Sequence, residues 1–155
     1  MRVLLATGDD PRDGRMQRML EGIAQEVIRE AARGEELLTS IEMAGPLHAA
    51  AVSQGSFGRK WPRLLRQLRK RAPQLPVVLL LGRKADRAWR LAMLAGAFEV
   101  VPAGAPEEAA VQAVRRALAY TLGRVVGELS VEGAGGEGRS TAQSLAQDIA
   151  ATTRT

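Results

Sequence analysis

The chain has 155 residues, 46% of them hydrophobic, which is enough to bury one substantial core. It has no cysteine and a single histidine, which excludes disulfides and thiolate metal sites and argues against a histidine-based one. The formal net charge is +5, compatible with an anionic partner, while aromatic residues at 3% poorly supply the stacking platforms used on single-stranded nucleic acid.

The chain opens with an apolar run of strand length, residues 2–7, followed by the turn "GDDPRDG". Asp10 can cap a helix whose first position is Pro11, and Met16, Met19, Leu20 and Ile23 give that helix an apolar face over residues 11–25. A short strand is expected over 27–31 and a short helix over 34–45, ended by a glycine. "LHAAAVS", residues 47–53, is a third strand. Trp61, Leu64, Leu65 and Leu68 predict a helix over 61–71, stopped before Pro73. "VVLLL", residues 77–81, is the continuous apolar run of a strand covered on both faces. A helix over 85–95, a fifth strand over 98–101 and a helix from Pro106 carrying Val111, Val114, Leu118 and Leu122 complete the pattern.

Five alternations of strand and helix imply an α/β, doubly wound five-stranded parallel sheet, for which a flavodoxin-like order is expected. Sites in such sheets lie at the carboxyl ends of the strands, here residues 7–10, 53–57, 81–83 and 101–104.

Residues 2–118 resemble a response-regulator receiver domain, through "RVLLATGDDP", "EVIREAARGEELL", "WPRLLRQLRKRAPQLPVVLLLG", "LAMLAGAFEVV" and "APEEAAVQAVRRAL" in the family's order. The resemblance implies an acidic pair after the first strand for Mg²⁺, an acceptor aspartate ending the third, a hydroxyl ending the fourth and a lysine ending the fifth. In this chain the acceptor position falls on Ser53, the hydroxyl on Leu81 and the lysine on Ala103, with the following loop one residue short. The acidic pair is shifted: the first acid's place is Gly8, and Asp9 and Asp10 remain, either as a helix cap and a loop acid or as a metal site. A neutral serine cannot form an acyl phosphate, Leu81 cannot bond a phosphoryl oxygen, and Ala103 cannot neutralise its charge. The expectation is a pseudo-receiver that takes no phosphate and is not an enzyme. The alternative is a phospho-dependent regulator with a rearranged site built on Asp9 and Asp10.

Beyond a receiver-like domain over 1–121, residues 122–155 form an extension. "RVVGELSV", residues 124–131, reads as a strand, "GAGGEGRS", residues 133–140, follows GxxxxGK[ST] except at Arg139, and "STAQSLAQDIA" reads as a helix. Gly133, Gly135, Gly136, Gly138, Arg139 and Ser140 are thus candidate phosphate-binding residues. The segment resembles the start of a MinD/ParA-type ATPase, with Ala134 at the signature lysine and Arg139 at the phosphate-binding lysine. The chain stops at Thr155, so no cofactor is expected within it, and ATP with Mg²⁺ only in a longer protein; a flexible Gly-rich tail is the other reading. Together the two parts resemble the Tad/Flp pilus-assembly localisation proteins.

Arg59, Lys60, Arg63, Arg66, Arg69, Lys70 and Arg71 crowd the helix over 61–71 and its approach, either as a solvated face or as a docking surface for an acidic partner, anionic lipid or nucleic acid. No recognised DNA-binding motif is present, so specific nucleic-acid readout is not expected. His48 is expected to be packed or at an edge rather than catalytic, and Trp61 and Trp89 to be core. No apolar run reaches membrane-span length and no signal peptide opens the chain, so a cytoplasmic protein is expected. The expected partners are proteins. By resemblance these include a second copy, bound through the fourth helix, fifth strand and fifth helix of the pattern, residues 87–118.

Overall fold

The computed structural model describes residues 1–8, 13–82 and 87–132. The elements run β1 (Arg2–Ala6), α1 (Asp13–Glu21), β2 (Glu26–Arg29), α2 (Glu35–Met43), β3 (Ala49–Ser53), α3 (Gln54–Phe57), α4 (Trp61–Arg71), β4 (Val77–Leu80), α5 (Ala88–Ala95), β5 (Glu99–Val101) and α6 (Glu107–Glu132). The five strands form one parallel sheet in the order β2-β1-β3-β4-β5. The expected doubly wound, flavodoxin-like α/β architecture is therefore the one observed.

Because strand side chains alternate, each strand feeds two cores. Leu4, Ala6, Ala50, Val52, Val77, Leu79 and Val100 face α2, α4 and α5, meeting Leu37, Leu38, Ile41, Trp61, Leu65, Leu68 and Ala92. Val3, Leu5, Ala49, Ala51, Val78, Leu80 and Val101 face α1 and α6, meeting Met16, Leu20, Val111, Val114 and Leu118. β3, the central strand, carries three consecutive alanines and is wholly buried at those positions, so helices on both faces seat close to it.

Three features depart from the sequence expectations. The four-residue helix α3 stands where a loop was expected. Residues 124–131 are not a strand: α6 continues without interruption to Glu132. The apolar residues of that stretch suit either element, but Leu118, Leu122, Val125 and Leu129 keep helical spacing from the buried part of α6, and extending an existing helix needs no new nucleus. Trp89 is not core but 55% exposed, because α5 lies on the sheet through the small Ala92 and Ala95.

Candidate functional site

The carboxyl edge of the sheet brings together the ends of β1, β3, β4 and β5. Ser53 closes β3 and pairs in register with Leu80, whose neighbour Leu81 is buried and donates its N–H to the Val101 carbonyl at 2.9 Å. Ala103 is exposed two residues past β5. Ser53, Leu81 and Ala103 thus all lie at this edge. Asp9 and Asp10, and all of Gly133, Gly135, Gly136, Gly138, Arg139 and Ser140, lie outside the described residues. What directly precedes Gly133 is helix α6, not the strand that a strand–loop–helix phosphate site calls for.

The Ser53 hydroxyl is bonded twice to Ser56. It is the N-cap of α3, its Oγ accepting the Ser56 N–H at 3.1 Å, and it shares a hydroxyl–hydroxyl bond of 2.8 Å with Ser56 Oγ. The buried Ser56 hydroxyl in turn donates to the Ala6 carbonyl at 3.0 Å, tying α3 to the end of β1. Gln54 crosses the other way, its Oε1 accepting the Gly82 N–H at 3.0 Å and linking α3 to the loop after β4. None of these partners is a base that could activate the Ser53 hydroxyl. The capping signal was readable in "SQGS", since a serine three residues before an amide it can accept is a cap pattern, but it shows only if a helix is expected there.

On the β1–β2 side the edge opens into a crevice of about 240 Å³ lined by Gly8, Asp13, Arg29, Glu30, Ala31 and Arg33. The Asp13 carboxylate is buried. It accepts from the Thr7 hydroxyl and forms an ion pair with Arg29. Gly8 has φ +62°, and a side chain built on it would meet Arg33 Nη2 at 3.2 Å and Ser56 Oγ at 3.7 Å. The place from which a first acid would reach out is thus a glycine with a guanidinium against it. These residues do not suit Mg²⁺: Gly8 offers no ligand, Asp13 is already neutralised by Arg29, and among the described residues no group of three His, Cys, Asp or Glu converges to hold a metal ion. Asp13 and Arg29 escaped the sequence reading because they are 16 residues apart and meet only once β1 and β2 pair, with Leu5 opposite Arg29.

His48 lies at the other end of β3. Its Nδ1 accepts the Arg2 N–H at 2.9 Å, and its carbonyl accepts the Thr121 hydroxyl at 2.8 Å, so it joins the chain start to α6 and takes no part in the edge.

This architecture is that of response-regulator receiver domains. No family model and no curated protein matches the chain. Solved structures do. A CheY-like receiver domain from Methanospirillum hungatei superposes with a TM-score of 0.65 at 19% identity, covering 77% of this chain and 94% of that one. A chain from Burkholderia pseudomallei described as pilus assembly-related gives 0.64 at 18% identity, covering 77% and 90%. A chain from Rhodopirellula baltica described as an adenylate cyclase gives 0.69 at 18% identity, covering 86% and 98%. At these identities the likeness establishes the fold.

Proposed function

We propose that this chain is a receiver-fold interaction and localisation module that takes no phosphate, working in a pilus-assembly or related signalling protein. The observation that carries the reading is the state of Ser53: the acceptor position holds a hydroxyl already spent on capping α3 and bonding Ser56. Leu81 and Ala103 supply neither a phosphoryl hydrogen bond nor a countercharge. The module is non-catalytic, needs neither metal nor nucleotide of its own, and signals by the surfaces it presents to protein partners in the cytoplasm. ATP with Mg²⁺ would belong to a longer protein. The pilus link draws on the Burkholderia pseudomallei neighbour and on the architecture of the sequence.

Beryllofluoride, a mimic of the phosphoryl group on an aspartate, tests this. Titrated with Mg²⁺ into the ¹⁵N-labelled chain, it is expected to leave the amide resonances of Gly8, Ser53 and Gly82 where Mg²⁺ alone puts them. Saturable shifts at these residues would establish the phospho-dependent alternative instead.

Self-association extends the reading. β5 is a three-residue edge strand. Arg116 holds Glu99 on it by a two-pronged ion pair, and the Tyr120 ring of α6 packs against Phe98 at a tilt of 45°, with ring centroids 5.3 Å apart. A second copy is proposed to dock across this edge, within the segment formed by α5, β5 and α6.

A further inference from the structure

Residues 54–85 contain nine Lys and Arg and no Asp or Glu. α4 lies in the middle of this stretch. Arg63, Arg66 and Lys70 recur at i, i+3 and i+7, forming one exposed row opposite the buried Trp61, Leu64, Leu65 and Leu68, and the exposed Arg59 and Lys60 lead into it. The arrangement works against the helix. Cations at its start oppose the helix dipole, and like charges three and four residues apart repel. Arg71 reaches Glu42 at 3.5 Å, and Arg69 donates to the Leu75 carbonyl. Arg59, Lys60, Arg63, Arg66 and Lys70 form no ion pair with any described acid.

Beside this row lies α5, which shares a core with α4 and on whose C-cap, Gly96, the Arg69 side chain rests. Only Ala92 and Ala95 of α5 are buried. Trp89 and Leu94, 55% and 75% exposed, stand out with Leu91 and Met93, and Arg87 and Arg90 are exposed among them.

We propose that α4 and α5 form a peripheral docking surface for an anionic lipid bilayer. A row of cations beside an exposed tryptophan, leucines and a methionine matches the two layers of a membrane surface: headgroup phosphates take the Lys and Arg, and the interfacial region takes the apolar side chains. A second copy does not fit the α4 row, because Arg63, Arg66 and Lys70 would meet like charge. A nucleic-acid backbone would use the cations but leaves Leu91, Met93 and Leu94 without a role. None of the described helices is long and apolar enough to cross a membrane, so the contact is one of lying on the surface.

The test is flotation of the full chain with phosphatidylcholine vesicles, with and without phosphatidylglycerol, combined with tryptophan emission. The expected result is binding to the phosphatidylglycerol vesicles alone, weakened by salt. Each cation removed should lower affinity about fivefold and each one reversed by more, so Arg63→Glu/Arg66→Glu/Lys70→Glu abolishes binding while circular dichroism stays native. Trp61 is buried and Trp89 exposed, so a blue shift on binding that Trp89→Phe removes would place α5 in the interface. Failure to bind phosphatidylglycerol vesicles overturns the proposal. So does undiminished binding by the triple variant, or binding of duplex DNA through the same cations without any Trp89 shift on vesicles.

Discussion

Ser53 Oγ is engaged by the Ser56 amide and hydroxyl, and Ser56 by the Ala6 carbonyl, so the polar groups at the end of β3 satisfy one another. Counting along the chain was enough to put Ser53, Leu81 and Ala103 at the carboxyl edge, because strand ends and the helix before Pro73 set the spacing. Counting could not find the Asp13–Arg29 pair, which exists only through the β1–β2 register. His48 carries the pH dependence at this scale. Burial, and then the charge of the N-terminal ammonium, lower its pKa from the ordinary 6.5. The bond it accepts at Nδ1 likewise requires a neutral ring. The unfolded chain therefore takes up a proton near pH 6.5 while the folded one resists. The stabilising contribution is complete above that pH and falls as pH drops toward the folded pKa. An NMR titration should give a ring pKa below 6.5. The stability difference between wild type and His48→Gln should shrink as pH falls through that window.

Among the elements, the strands were the most legible, because continuous apolar runs bounded by turns leave few alternatives in a sheet covered on both faces. The extension of α6 was not legible. Val125, Val126, Leu129 and Val131 are β-branched or apolar at strand-like density, and their helical phase counts only once the buried half of α6 is in place. The junction of α5 with β5 depends on one backbone geometry. Gly96 caps α5 at φ +102°, and a Cβ there would approach Arg69 Cγ to 2.7 Å. Gly96→Ala is expected to cost about 1 to 2 kcal/mol, from the left-handed conformation and the displaced Arg69 chain, and to lower the urea midpoint without changing the slope of the transition.

At the scale of the whole molecule the two ends of the sheet differ. One end is stitched by His48, Arg2 and Thr121. The other, where a receiver would do its chemistry, holds a capped serine, a buried leucine and a crevice with two arginines. On the proposed reading, function lies on the outer surfaces. A homodimer across the β5 edge predicts a mass by light scattering that rises from one copy toward two with concentration. A single-copy mass at the highest accessible concentration would count against that interface. The proposed function stands on a carboxyl edge without phosphoryl transfer. The most direct measurement is intact-mass spectrometry of the chain after incubation with Mg²⁺ and a small-molecule donor such as acetyl phosphate or phosphoramidate. An unmodified chain is the expected result. A stoichiometric phosphoryl adduct mapped to Ser53 or to the acids after β1 would contradict it.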